Sequence, residues 1–304
     1  MSKARDFLGQ FRLVRLIRQG STCDVWEALE EKEQARYALK ILNVRSREDK
    51  SEITTLRHES TVGRDLVSPR VIRVHDFKME SGVPFLVMEL FSELNLKQAL
   101  RKGPSDIAYI LPKVIEYSAE AIYFMHTKGW IHRDVKPDNF LVSKEGDIKL
   151  IDFSIAEKKR SGLAKYFRKN AGTVQGTRSY MSPEQIQGKI CDERSDVYSF
   201  GCLLFEISTG KLPYTGQNPN DLLTKHLNAT IPSPSALNDN ITPDFANLIR
   251  SMMSKKPESR PQSMWEFLKA YRSIQIFKKK PKAPDTSVFD AIQNIKSIED
   301  LLKR

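Results

Sequence analysis

The chain has 304 residues and a mass of 34.9 kDa, with 40% hydrophobic and 29% charged residues, a composition that supports a full core and excludes a disordered or fibrous chain. No run approaches the roughly 18 apolar residues of a membrane helix: the nearest, 200–207, is short and broken by Glu206. No apolar stretch of a secretory signal follows the first residues, so a cytoplasmic protein is expected. The net charge of +11 suits an anionic partner, but the basic residues are spread over the whole chain; with no nucleic-acid recognition module among them, they read as a solvated surface.

After an N-terminal segment 1–10, short apolar runs at 11–17, 25–28, 37–42, 71–77 and 84–90 alternate with polar turns and predict strands. Between the third and fourth, Ile53, Leu56, Val62 and Leu66 recur at helical spacing and predict one helix within 46–67. From residue 95 the period becomes helical, with segments predicted at 96–100, 107–128, 196–209, 220–227, 244–253 and 263–274. The sequence thus predicts an α+β protein of two lobes, a small antiparallel sheet with one main helix (about 11–90) and a larger helical lobe (about 95–274). A crevice between such lobes is a usual place for a small-molecule site. A basic, proline-containing linker (278–287) follows. Val288, Ile292, Ile295, Ile298 and Leu302 then predict an amphipathic helix over 288–304, expected either to pack on the preceding lobe or to dock a partner or a second copy.

Three cysteines, Cys23, Cys191 and Cys202, are scattered without a Cys-x-x-Cys pair. Neither a disulfide framework nor a zinc site is expected.

The residues richest in chemistry lie between 130 and 154. Asp134, Lys136, Asn139 and Asp152 stand among apolar segments that read as strands, so two carboxylates, an amide and an ammonium converge. Asn139 and Asp152 supply oxygen ligands of the kind Mg²⁺ takes, Asp134 is then free to accept a proton, and Lys136 can neutralise a transferring phosphoryl group.

His132-Arg133-Asp134 with Lys136 and Asn139, then Asp152-Phe153-Ser154, and Ser182-Pro183-Glu184 preceded by Gly176-Thr177-x-x-Tyr180-Met181, resemble the signature set of the eukaryotic-like serine/threonine protein kinases. The resemblance covers about 11–272 and implies a bilobal kinase fold that binds ATP and Mg²⁺ and phosphorylates protein serine or threonine; a nucleotide-binding pseudokinase acting as a scaffold or switch is the alternative. It implies that Lys40, in Tyr37-Ala38-Leu39-Lys40, holds the α- and β-phosphates and pairs with Glu59. One turn beyond Glu59, Gly63 stands where the family usually has a bulky apolar residue. Adenine is expected against Ile17, Val25, Ala38 and Leu141, with hydrogen bonds to backbone near Glu89 and Phe91. Only Gly20 remains of the three glycines of the phosphate-covering loop, Arg18 and Cys23 replacing the others, which implies a stiffer loop and weaker nucleotide affinity. Ser154 replaces the glycine after Asp152-Phe153 and is expected to disfavour the state with Phe153 swung outward. Glu184 is expected to pair with Arg260, and Asp196 to hold the catalytic-loop backbone. Thr177 is expected to contact Asp134 or Lys136. Thr173 is the expected regulatory phosphosite, with Arg133 able to pair with its phosphate.

Overall fold

The computed structural model describes residues 7–159 and 175–283. Its first half is a six-stranded antiparallel sheet made of β1 (Phe7–Leu8), β2 (Phe11–Arg18), β3 (Cys23–Glu30), β4 (Ala35–Leu42), β5 (Val74–Glu80) and β6 (Val83–Glu89), in the order β1-β2-β3-β4-β6-β5. Strand β1 falls in what the sequence left as an N-terminal segment; two residues joined to β2 through Gly9, at φ 57°, are too short to show a period. One face of the sheet closes over Phe11, Leu39, Phe85 and Val87, and the other receives α1 (Lys50–Asp65) through Leu42, Leu56 and Leu86. Helix α1 lies within the predicted span 46–67 and starts at Lys50, because the Asp49 side chain accepts a hydrogen bond from Ser51 N and caps it there.

The second half is helical, with α2 (Leu96–Ala99), α3 (Leu111–Thr127), α4 (Pro183–Ile186), α5 (Glu193–Thr209), α6 (Pro219–Asn228), α7 (Pro243–Met252) and α8 (Met264–Arg272). Helix α3 begins at Leu111 rather than 107 because Pro112, without an N–H to give, fits the first turn of a helix and not its interior. Helix α5 is buried on nearly all sides and carries the core of this lobe, with Val197, Phe200, Leu204 and Phe205 packed against Phe245, Ile249 and Phe267. It ends at Gly210, whose φ of 74° a side chain would resist.

Short pairs of strands carry the segments between the lobes: β7 (Leu94–Asn95), β8 (Trp130–Ile131), β9 (Phe140–Val142), β10 (Ile148–Leu150) and β11 (Glu157–Lys158). Ile72 N donates to Leu150 O at 3.0 Å and Leu150 N to Arg70 O at 2.9 Å, so the chain entering β5 is stitched to the second lobe. No helix among the described residues is long and apolar enough to cross a membrane. The helix expected over 288–304 lies outside the described residues, as does Thr173.

Candidate active site

The upper wall of the crevice is built on β4 and α1. Lys40 Nζ donates to both carboxylate oxygens of Glu59, at 2.8 and 2.6 Å, and lies 3.6 Å from Asp152. Burial works against the Lys40 charge, but the carboxylates of Asp152 and Glu59 outweigh it and raise the ammonium above its ordinary pKa. Burial likewise opposes the Asp152 charge, and Lys40 outweighs it, holding that carboxyl well below its usual range. Both groups are therefore ionised at neutral pH.

One turn after Glu59, a Cβ on Gly63 would stand 2.3 Å from Val74 Cγ2 and 3.4 Å from the Phe153 ring. The space that a bulky residue of α1 would occupy is filled from β5 instead, and the helix needs glycine there. Phe153 is fully buried, edge-on to His132 with ring centroids 5.9 Å apart. Asp152, at φ 67°, takes the left-handed conformation at this corner and Ser154 does not, so the inward position of Phe153 asks for no glycine at 154.

The lower wall hangs from α5. Asp196 is wholly buried and accepts from His132 N and Arg133 N, both at 2.8 Å, and from His126 Nε2, also at 2.8 Å. Burial pushes its pKa up, yet these donors, His126 first, bring it below the usual value. The anchoring holds Arg133 at φ 67°, a strained conformation for a side chain of that size. Beyond this turn, Asp134 Oδ2 accepts from Lys136 Nζ at 2.6 Å and Asn139 Nδ2 at 3.2 Å, while its Oδ1 accepts from Thr177 N at 2.9 Å. Lys136 Nζ also donates to Thr177 Oγ1 at 2.7 Å, so Thr177 contacts both Asp134 and Lys136. Asn139 and Asp152 flank the β9–β10 hairpin: Leu150 pairs with Phe140 and Ile151 N donates to Asn139 O at 2.9 Å, so Asp152 follows one residue after the position opposite Asn139.

Between the walls runs a continuous cleft. Its deeper part is lined by Ile17, Val25, Ala38, Glu89, Phe91 and Leu141, together with Lys40, Glu59 and Asp152. Its outer part, beneath the β2–β3 turn, is lined by Gly20, Cys23 and Val25 and again by Lys40, Glu59 and Asp152. Ile72, Met88 and Ile151 also line the deep part; apolar positions at strand ends give no local sign of facing a cavity rather than the core. Glu89 turns its carboxylate to Lys149 Nζ, at 2.7 Å, and to Arg73 N, at 3.1 Å. Gly20 is required by the turn, since a Cβ there would meet Cys23 O at 2.4 Å. Burial pushes the Cys23 thiol up to about 11, which leaves it protonated and a poor nucleophile.

The expected pair of Glu184 with Arg260 is present. Arg260 Nη1 and Nη2 donate to Glu184 at 2.7 and 2.9 Å in a buried fork, and Ser195 Oγ adds a third donor at 2.7 Å. A contact the sequence did not indicate joins Arg133 Nη1 to Glu157 at 3.0 Å.

Residues 11–271 match the family described as Protein kinase domain. The chain is 34% identical over 248 residues to the serine/threonine-protein kinase PknL of Mycobacterium tuberculosis, covering 80% of this chain and 60% of that protein. It is 31% identical over 284 residues to PknA of the same species, covering 91% and 64%. A probable serine/threonine-protein kinase of Clostridium perfringens is 31% identical over 281 residues, covering 91% and 40%. The chain thus spans less than two thirds of the length of each of these relatives. With a match over the sheet, the crevice and the helical lobe together, the chain belongs to the protein kinase domain family.

Proposed function

We propose that the protein transfers the γ-phosphoryl group of ATP to serine or threonine hydroxyls of proteins. The observation that carries this reading is the convergence of Lys136, Asn139 and Thr177 on one carboxylate, Asp134, at the edge of a cleft whose other wall holds the Lys40–Glu59 pair. Three donors fix the Asp134 carboxylate in one orientation. A substrate hydroxyl placed against it gives up its proton to Asp134 as its oxygen bonds to the γ-phosphorus and the bond to the ADP oxygen breaks. Lys136, beside the same carboxylate, neutralises charge on the transferring group.

The adenine ring fits the apolar strip of Ile17, Val25, Ala38 and Leu141. Phe91 N–H makes no hydrogen bond among the described residues and is free to donate to the ring. Lys40 serves the α- and β-phosphates. The oxygen donors suit Mg²⁺: Asp152 remains a carboxylate, and Asn139 uses its Nδ2 on Asp134, which leaves its amide oxygen for a cation. Mg²⁺ held there would neutralise phosphate charge. The family's other members named above are serine/threonine kinases, which supports the substrate class. A cytoplasmic location, with all three thiols free, belongs to the same reading.

Self-activation is part of the proposal, with Thr173 as acceptor. Arg133 Nε is buried without a partner among the described residues, so a donor remains for a phosphate beside the one given to Glu157.

The test is autophosphorylation with γ-labelled ATP and Mg²⁺, wild type against Asp134→Asn, the labelled residue mapped by mass spectrometry. Label on wild type alone, with Thr173 among the sites, is the expected result. Equal label on both overturns the role of Asp134, and a Thr173→Ala variant with unchanged label and activity overturns self-activation. ATP that raises the melting temperature without any transfer favours the nucleotide-binding pseudokinase.

A further inference from the structure

Three arginines project from β2, and they have different fates. Arg12 pairs with Glu31 at 3.2 Å and Arg15 with Glu27 at 2.8 Å. Arg18, the last residue of the strand, is exposed and its guanidinium makes no hydrogen bond or ion pair among the described residues, although it lines both parts of the cleft.

The sheet explains where Arg18 goes. A bulge between Leu16 and Arg18 shifts the register so that Arg18, rather than Ile17, stands opposite Val25, and Val25 stands opposite Lys40. Directly opposed residues share a face of a sheet. Arg18, Val25 and Lys40 therefore form one row across three strands, with Arg18 and Lys40 about 10 Å apart at two interstrand spacings. Arg18 and Lys40 are the cations that line the cleft among the described residues. Lys40 is already held by Glu59 and Asp152, so it brings little uncommitted positive charge. A polyanion entering the cleft meets two carboxylates for each engaged lysine, and Arg18 is the cation still free to answer it.

We propose that Arg18 is a nucleotide-binding residue whose guanidinium bonds the polyphosphate oxygens, opposite Lys40, and supplies the charge and donors that a covering loop with a single glycine provides poorly. The inference rests on the nucleotide-site reading above and reverses the sign expected from loop stiffness: the residue that replaces a glycine strengthens binding. Guanidinium and phosphate match in geometry and charge, and hydrogen bonds between charged groups are the stronger ones.

Calorimetric titration of the 304-residue chain with ATP, ADP and adenosine, for wild type, Arg18→Ala and Arg18→Lys, tests it. Arg18→Ala is expected to weaken ATP and ADP about tenfold while leaving adenosine within about twofold. Arg18→Lys should recover part of the loss, and high salt should narrow the gap between wild type and Arg18→Ala. Equal losses for ATP and adenosine would mean that Arg18 only shapes the loop, and ATP binding unchanged or tighter in Arg18→Ala would give the stiffness expectation the victory; either overturns the proposal. Wild type that binds none of the three ligands overturns the nucleotide-site reading along with it. Phosphate-dependent loss in Arg18→Ala from a wild type that binds ATP but transfers nothing leaves Arg18 standing and removes only the transfer step.

Discussion

Below the cleft, Asp134 is fixed by three donors, and the turn that carries it hangs from a wholly buried Asp196 on a helix buried on nearly all sides. Above it, the β2–β3 turn rests on a strand end that is exposed from Val14 to Gln19 and is held by Gly20 N donating to the Asp24 side chain at 3.2 Å and by Asn43, whose Nδ2 and N donate to Ser21 O at 2.6 Å and Thr22 O at 2.9 Å. The difference lies in what each wall must do. Positioning a proton acceptor needs a buried polar network, because such a network has few alternative arrangements once every member is satisfied. Admitting and releasing a nucleotide needs a wall that opens, and exposed ladder ends with few side-chain partners provide that. Of the departures from the family pattern, Arg18, Cys23 and Gly63 lie in the upper wall and Ser154 follows Asp152, while Asp134, Lys136, Asn139 and Asp152 themselves are kept.

Perturbing the lower wall should give the largest effects. Asp134→Asn is expected to reduce phosphoryl transfer by at least about 10²- to 10⁴-fold while nucleotide affinity and melting temperature stay near wild type; a parallel loss of ATP binding would make Asp134 a binding residue instead. Next in size, Glu184→Ala strands the buried Arg260 guanidinium and should cost roughly 3–5 kcal/mol in urea denaturation. A cost below about 1 kcal/mol would mean that the pair contributes little to anchoring α4 against the segment that precedes α8.

Acid should also act on the helical lobe. His226 is buried against Tyr198 and Tyr214, its Nδ1 2.9 Å from Tyr198 Oη, and burial, helped by the nearby Lys255 charge, lowers its pKa from 6.5 to about 4. Since the unfolded chain takes up this proton first, the contribution is intact above pH 6.5 and is lost as the pH falls from 6.5 toward 4. The loss amounts to roughly 3 kcal/mol at its limit. His226→Gln should flatten that part of the stability profile; an unchanged acid limb would show that other groups govern it.

The smallest effect is the most specific to this chain. Gly→Ala inside a helix ordinarily gains about 1 kcal/mol, but Gly63→Ala drives a Cβ into Val74 and should lose about 1–3 kcal/mol. Combining it with Val74→Ala should destabilise less than the sum of the two single changes. Strict additivity would mean that the contact is relieved by movement of α1, and that the upper wall yields more readily than its packing suggests.

Much of this was open to sequence reading because it depends on local order. The change of period from two to 3.6 near residue 95 marks the two lobes, and the pattern from His132 to Asp152 names the polar residues of the lower wall, since one loop and one hairpin carry them all. The Glu59 partner of Lys40 could be placed only by counting from a neighbouring motif, because the pair is 19 residues apart and joins a strand to a helix. Three matters were settled only by the tertiary structure. Val74 reaches into the space left by Gly63 from another element, so the unusual helix residue is a packing exchange between α1 and β5. Arg133 meets Glu157 across an antiparallel pair that the sequence did not mark as strands. A β-bulge puts Arg18 in the same row as Lys40, and so a residue that reads as the loss of a glycine becomes a free cation facing the cleft. The sequence by itself determined which chemical groups this protein holds and the order of its elements, because periodicity and motif spacing are local properties. Which groups share a face, fill one another's space or cancel one another's charge was decided by register and packing, which arise only when segments distant along the chain come together.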